Sequence, residues 1–317
     1  AAGVADTLGP DAARRLRDDP WALLSLPGVS LAEADRLAIA VLKGADRQDA
    51  RRGRAIVGLT LRTATRDGHT VLPADLVVAA LRAEGITDPA AAIVAAVDGG
   101  EVLEHEPPVP EDDGDPDAEP DPALRMLSLA RFGMAEEAVA ENVARLAAAA
   151  ELIADPLSVR KVAKGLDKAQ MAAVAQVLGN GVSLLTGGPG TGKSRTVAAV
   201  VQLLRAKGTE IALAAPTGRA AKRLEELTDH PATTVHRLLG AQGMTGGFSR
   251  NEEWPLDAEV VVVDEASMLD VELTAALLEA CPDGTHLLLV GDPAQLPSIG
   301  PGHVLGDLID SGAVPVT

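Results

Sequence analysis

Residues 184–196 read LLTGGPGTGKSRT, and this stretch decides the fold of the second half of the chain. A short apolar run enters a glycine-rich loop that ends in Gly192, Lys193 and Ser194. The loop fits the pattern G-x-x-x-x-G-K-[ST], in which backbone amides surround a phosphate at the positive end of the following helix. Residues 193–207 have the composition of such a helix, so we predict a loop that binds a nucleotide.

Two side chains of this loop have an expected chemical role. Lys193 is expected to bridge the β- and γ-phosphates, and Ser194 is expected to bind Mg²⁺. The loop therefore predicts a bound nucleotide with Mg²⁺, and the family resemblance given below implies that the nucleotide is ATP. The predicted nucleotide contacts in the loop are Gly188, Pro189, Gly190, Thr191, Gly192, Lys193, Ser194 and Arg195.

Four short apolar runs accompany the loop, and they read VSLLT, EIALAAP, EVVVVDE and HLLLVGD. Continuous apolar runs are typical of strands that are buried on both faces of a parallel sheet. A helical stretch follows each run, which implies right-handed crossovers and helices on both faces. The expected fold is α/β, with the parallel sheet of a P-loop NTPase over residues 155–317.

Two adjacent acids, Asp264 and Glu265, end the third apolar run. A strand-end aspartate beside a phosphate loop suits a second Mg²⁺ contact, and the neighbouring glutamate suits activation of the attacking water. The alternative is that both are capping residues. Together with the loop, the pair favours nucleotide hydrolysis over simple binding.

Further motifs follow the order of one known family. The fourth run continues as GDPAQLPSIGPG, and the other segments are LDKAQMAAVAQVL, APTGRAAKRL and TVHRLLG. This set resembles the RecD-like helicases, the RecD/TraA branch of superfamily 1. The resemblance implies a first RecA-like lobe (1A) and an ATP-dependent motor that moves five-prime to three-prime on single-stranded DNA. Expected partners are single-stranded DNA and recombination or repair proteins.

The resemblance also implies roles for particular residues. Gln170 would read adenine, and Gln295 would contact the γ-phosphate and report its loss to the DNA site. The residues expected to contact the DNA strand are Pro216, Thr217, Arg219 and His236. For Lys222 and Arg223, an exposed helix face paired with neighbouring glutamates is an equally open interpretation.

Residues 1–100 read as helices joined by short turns, which predicts a smaller all-α domain. Within it, DPWALLSLPGVSLAEADRLA resembles a helix-hairpin-helix module, whose hairpin amides bind DNA phosphate without reading sequence. The usual second glycine is Ser30 here, so a plain packing turn remains an equal alternative.

An acidic, proline-rich stretch over residues 101–124 predicts a linker, and residues 125–154 predict one connecting helix. The net charge of −18 argues against a simple polyanion binder. Residues 101–151 carry 14 acidic and 3 basic side chains, which accounts for −11 of that charge. The flanking regions are closer to neutral, so nucleic-acid binding stays possible for both.

The single cysteine, Cys281, excludes an internal disulfide and favours a buried structural thiol. The sequence predicts neither a membrane span nor a signal peptide, so we expect a cytoplasmic protein without membrane contact. The chain begins with Ala and ends at SGAVPVT, where the family continues into its second lobe. We therefore expect a fragment without the second lobe and its arginine finger, which binds ATP weakly and hydrolyses it slowly or not at all.

Two other classes of function remain open. A P-loop ATPase that acts as a switch or loader on a protein partner predicts turnover that is indifferent to single-stranded DNA. A non-catalytic DNA-binding module predicts binding that Lys193→Ala leaves unchanged. A relaxase-linked helicase is a variant of the leading interpretation, but the sequence has no visible transesterase motif.

Overall fold

The computed structural model describes residues 8–106, 125–153, 166–188, 190–243 and 247–317. The chain divides into two compact units, Ala1–Met134 and Ala135–Thr317. The division falls inside a helix, at a point within the range 125–154 that the sequence assigned to a connecting helix. In the described part of the chain, none of the helices has the length and apolarity needed to cross a bilayer.

The first unit is mainly helical, as predicted. Its elements are α1 (Ala12–Asp18), a 3₁₀ helix (Pro20–Ser25), α2 (Leu31–Val41), α3 (Ala50–Ala64), a 3₁₀ helix (Thr65–Asp67), β1 (Val71–Pro73), α4 (Ala74–Ala83), α5 (Pro89–Asp98), β2 (Val102–His105), β3 (Met126–Leu129) and the start of α6 (Ala130–Ala149).

Hydrogen bonds to the Asp35 carboxylate and a small apolar core stabilise the hairpin of this unit. Trp21 is 1% exposed and packs with Leu24 and the alanines of α2. Its Nε1 donates to Asp35 Oδ1 at 2.7 Å, and the buried Arg52 donates to both oxygens of the same carboxylate at 2.9 and 3.1 Å. Burial acts to raise the pKa of Asp35, but the hydrogen bonds from Arg52 and Trp21 outweigh it and the pKa lies below its ordinary value.

A three-stranded antiparallel sheet in the first unit corrects two expectations. Its strand order is β1-β3-β2, with Leu72 opposite Leu127 and Val102 opposite Leu129. Strand β2 lies within the range 101–124 assigned to a linker, and β3 lies within the range assigned wholly to a helix. Residues 107–124 of that linker lie outside the described residues.

The second unit contains a five-stranded parallel sheet of order β4-β8-β7-β5-β6. Its elements after α6 are α7 (Lys168–Gly179), β4 (Val182–Thr186), α8 (Lys193–Lys207), β5 (Ile211–Ala215), α9 (Gly218–Thr228), β6 (Ala232–Thr234), α10 (Val235–Leu238), β7 (Val260–Val263), a 3₁₀ helix (Ala266–Met268), α11 (Val271–Glu279), β8 (His286–Gly291) and α12 (Val304–Ser311).

Burial of both sheet faces confirms the interpretation of the four apolar runs. All four valines of β7 are fully buried, although successive side chains of a strand point to opposite faces. Val260 and Val262 pack with α7 and α8 in one core, so Val261 and Val263 face a second covered side. At the edge of β4, Leu184 forms a parallel bridge with Val316, which extends the hydrogen bonding of the sheet by one short segment.

The second half of α6 is attached to the end of α11 by one arginine. Arg145 donates to the carbonyl oxygens of Leu278 and Cys281 at 3.1 and 2.8 Å, and it pairs with Asp283 at 2.6 Å. Cys281 is fully buried, as predicted, and burial raises the pKa of its thiol to about 12. Arg145 therefore binds the backbone of Cys281, while the thiol is buried in the interior.

Candidate nucleotide site and strand edge

The glycine-rich loop between β4 and α8 adopts backbone angles that only glycine tolerates easily. Gly187, Gly190 and Gly192 have φ values of 148°, 80° and 92°. Thr191 closes the loop through a hydrogen bond from its Oγ1 to the carbonyl of Gly188 at 2.9 Å. Lys193 is the first residue of α8, and its Nζ donates to the carbonyl oxygens of Gly187 and Gly188. Pro189 lies outside the described residues.

Gln170 meets the phosphate loop directly. It is the third residue of α7, where it forms a capping box: its backbone N–H donates to Asp167 Oδ1 at 2.9 Å, and its Oε1 accepts from Asp167 N at 3.3 Å. Its Nε2 lies 2.4 Å from the place where a Cβ on Gly192 would stand. The side-chain amide is therefore packed over the last loop glycine.

The two acids after β7 lie in different environments. Asp264 is largely buried, which raises the pKa of its carboxyl, while the N–H of Glu265 (at 2.9 Å) and the charges of Arg223 and Lys193 act in the opposite direction. Glu265 has φ 56° and ψ 39°, a left-handed conformation that costs a non-glycine residue about 1–3 kcal/mol and is concentrated at functional sites.

Gln295 follows β8 and is held by a small turn. Its backbone N–H donates to the carbonyl oxygen of Asp292 at 3.0 Å, and the Asp292 carboxylate accepts from Ala294 N at 3.0 Å. The Gln295 side chain is exposed, with Nε2 3.5 Å from Asp292 Oδ2. Asp292 is buried, so it serves as the support of this turn.

These groups surround one cavity of about 550 Å³, a size typical of a small-molecule site. Residues of three of these segments line it together: Gly188, Gly190, Thr191, Gly192, Lys193, Ser194, Arg195, Asp264, Glu265 and Gln295. The cavity thus brings together all described loop residues and both acids that the sequence singled out. Gln170 is not among its lining residues and reaches it only through Gly192.

Arg223 is a cavity residue that the sequence did not assign. It lies on α9 and lines the cavity together with Leu227, one helical turn further on. Arg223 precedes the buried Leu224, which fixes the face that α9 turns to the core. Leu224 is the one signal in the sequence for the position of Arg223, because the pattern otherwise predicts that Lys222 and Arg223 are both exposed cations. Arg223 is exposed and also lines the cavity, so the exposed helix face stays an open interpretation for it.

The residues predicted to contact single-stranded DNA lie after β5 and β6. Thr217 caps α9 by accepting from Ala220 N at 3.2 Å, and Pro216 beside it is half-buried. Arg219 and His236 are exposed, and the His236 ring centroid lies 5.9 Å from that of Phe248. Ala215 pairs with Thr234 in a parallel register, so these residues leave the sheet at the same edge.

The carboxyl edge of the sheet thus has two parts. The nucleotide half consists of the ends of β4, β8 and β7, where the cavity lies. The other part is called the strand half because it carries the predicted contacts to a DNA strand. It consists of the ends of β5 and β6, which lie next to β7. Helix α9 belongs to both, because Thr217 begins it in the strand half and Arg223 lines the cavity. Ligands of open α/β sheets bind at this edge.

Comparison with known families gives two matches. Residues 1–71 match the family described as ATP-dependent RecD2 DNA helicase HHH domain, and residues 170–301 match an AAA domain. The chain belongs to the RecD-like helicases. The RecD-like assignment explains both the hairpin of the first unit and the phosphate loop of the second.

Relatives of this RecD-like chain support the assignment. It is 35% identical to the ATP-dependent RecD2 DNA helicase of Deinococcus radiodurans over 93% of this chain and 41% of the relative. It is 40% identical to the RecBCD enzyme subunit RecD of Mycolicibacterium smegmatis over 60% of this chain and 39% of that protein. The chain therefore spans about two fifths of the length of these relatives.

Proposed function

We propose that this RecD-like chain binds ATP with Mg²⁺ in the 550 Å³ cavity and couples its hydrolysis to movement along single-stranded DNA. The movement is five-prime to three-prime, as the family resemblance implies. The observation that carries the proposal is the convergence of Lys193, Asp264, Glu265 and Gln295 on one cavity, beside the ends of β5 and β6.

The donors at the cavity fit a magnesium nucleotide. Ser194 and Asp264 offer a hydroxyl and a carboxylate, which are oxygen ligands of the type that Mg²⁺ prefers. When bound there, Mg²⁺ would neutralise charge on the phosphates. Lys193 leaves the loop carbonyls to bind the β- and γ-phosphate oxygens, and the loop amides with Arg195 bind the remainder. Gln170, which is packed on Gly192, would contact the adenine base, and its nearness to the loop supports this role.

The two acids and Gln295 have different roles in hydrolysis. Asp264 holds the metal, and Glu265 accepts the proton of the attacking water. The left-handed conformation of Glu265 fits such a positioning role. Gln295 contacts the γ-phosphate and moves when that phosphate leaves. In the strand half, Pro216, Thr217, Arg219 and His236 bind the DNA backbone and bases, and recombination or repair proteins are the expected further partners.

The experiment is titration of a fluorescent ATP analogue into the chain with Mg²⁺, followed by ATP turnover with and without single-stranded DNA. We expect binding that Lys193→Ala removes, and turnover that is slow and rises with DNA. The matched control is Lys168→Ala, an exposed lysine of α7 outside the cavity lining. ATP turnover that does not change when DNA is added would favour a switch or loader that acts on a protein partner. ATP binding that Lys193→Ala leaves unchanged would contradict the proposal.

A further inference from the structure

An exposed tryptophan stands on the loop before β7 and has no role in the proposed nucleotide site. Trp254 is 69% exposed, whereas Trp21, the other tryptophan of the chain, is 1% exposed. Tryptophan offers a large, rigid and mostly apolar surface, and it is enriched among the residues that contribute most to protein interfaces. Its position at the surface of the second unit favours a contact with another molecule.

A tight turn fixes the backbone that carries this side chain. The side-chain carbonyl of Asn251 accepts from the backbone N–H groups of Glu253 and Trp254, both at 3.0 Å. The N–H of Asn251 donates to the carbonyl oxygen of Trp254 at 3.3 Å, which closes the turn. The backbone of Trp254 is therefore ordered before any partner arrives, and preorganisation of this kind lowers the entropy lost on binding.

The turn is also attached to the body of the second unit. Arg250 Nη1 donates to the carbonyl oxygen of Pro255 at 2.6 Å. The N–H of the buried Leu256 donates at 2.8 Å to the carbonyl oxygen of Ala280, which follows α11. None of these residues lines the nucleotide cavity. The surface around Trp254 is thus a separate feature of this unit.

The charge around Trp254 indicates which kind of molecule fits there. Glu252 and Glu253 are exposed, and neither pairs with a cation in the part of the chain that the structure describes. Asp257 is also exposed, and its distance of 3.5 Å from Arg250 makes a weak ion pair. Three carboxylates beside the indole repel the phosphates of DNA and attract cations.

The indole itself distinguishes between the two common cations of proteins. A guanidinium is planar and stacks on an aromatic face, whereas an ammonium is a compact, strongly hydrated charge. A guanidinium also donates pairs of hydrogen bonds to a carboxylate. An arginine side chain therefore complements both the aromatic and the acidic part of this surface.

We propose that Trp254, together with Glu252, Glu253 and Asp257, docks an arginine-bearing segment of a protein partner. The guanidinium stacks on the indole, and the carboxylates pair with it and with further cations of the same segment. The inference goes beyond the proposed function, because this docking requires neither ATP nor DNA.

The test is titration of the full chain into two labelled peptides of equal length and charge, at about 50 mM salt. One peptide alternates Gly with Arg, the other alternates Gly with Lys, and fluorescence anisotropy gives both affinities. We expect the Arg peptide to bind about two- to fivefold more tightly. Acrylamide quenching with the unlabelled Arg peptide locates the contact: the peptide should protect the exposed Trp254, since Trp21 is already buried.

Three variants separate the indole from the charge. Trp254→Leu keeps an apolar side chain but removes the aromatic face, so the two peptides should bind it equally. Glu252→Gln combined with Glu253→Gln should weaken both peptides by about two- to tenfold and keep the preference for Arg. The matched control is Glu137→Gln combined with Glu141→Gln, which removes two exposed acids of α6 and should leave both affinities unchanged.

Several outcomes would overturn the inference. Equal affinity of wild type for the two peptides, or an undiminished preference for Arg in Trp254→Leu, would exclude stacking on the indole. Equal losses in the two double variants would show attraction by net charge alone. Protection of Trp254 by oligo-dT, or a dimer of the chain that Trp254→Leu abolishes, would identify DNA or a second copy as the occupant instead.

Discussion

The contact between Gln170 and Gly192 yields a stability prediction that can be worked out from the coordinates. In Gly192→Ala, the new Cβ stands 2.4 Å from Gln170 Nε2, at a backbone φ of 92°. The left-handed backbone costs about 1–2 kcal/mol for alanine. Displacing the Gln170 amide also breaks its hydrogen bond with Asp167 N, which costs about 0.5–1.5 kcal/mol. The expected total is about 1.5–3.5 kcal/mol.

Differential scanning calorimetry measures this cost as a shift of the second unit's melting temperature. At about 2–4 °C per kcal/mol, Gly192→Ala should lower it by about 3–14 °C. In a Gln170→Ala background only the backbone strain remains, so the shift should shrink to about 2–8 °C. Gly188→Ala is the matched control, because a Cβ there meets nothing within 4 Å and its φ is not positive. Equal shifts for Gly188→Ala and Gly192→Ala, or equal shifts in both backgrounds, would refute the reasoning.

Four further predictions concern the cavity and the core. Glu265→Gly relieves a left-handed backbone and should raise the melting temperature by about 2–4 °C while turnover is lost; a lower melting temperature would contradict the assigned strain. Because burial raises the pKa of Asp264, its ionised form destabilises the fold without ligand; Asp264→Asn should melt higher than wild type at neutral pH, and the difference should shrink as acid protonates the wild-type carboxyl. Arg223→Gln should weaken binding of the fluorescent ATP analogue severalfold, whereas the adjacent, exposed Lys222→Gln should leave it unchanged; equal effects would place Arg223 outside the site. The Cys281 thiol, with a pKa of about 12, should react with iodoacetamide at pH 8 only after denaturation, and rapid native alkylation would contradict its burial.

The parts of the fold that the sequence predicted are those with strong local signals. Strands β4, β5, β7 and β8 are continuous apolar runs because both of their faces are buried, and the phosphate loop has a fixed spacing. Strand β6 escaped prediction, since its three half-buried residues acquire their conformation from pairing with β5. Strands β2 and β3 escaped it for a similar reason, because the partners are far apart in sequence.

The candidate site divides in the same way. Lys193, Asp264 and Gln295 sit at strand ends or loop positions that motifs identify, so their meeting at one edge could be predicted from a parallel sheet. Arg223 could not be found, because a cation on a helix is expected to be solvated until the packing of its helix is known. The packing of Gln170 on Gly192 likewise depends on tertiary contacts between α7 and the loop.

The central claim is that the nucleotide half and the strand half of one sheet edge are energetically coupled through Gln295. The most direct measurement is the affinity of the chain for oligo-dT with and without a saturating non-hydrolysable ATP analogue, in wild type and in Gln295→Ala. We predict that the analogue changes the DNA affinity of wild type by about fivefold or more, and that Gln295→Ala still binds both ligands but loses this change. Oligo-dT affinity that is identical with and without the analogue in wild type would contradict the account.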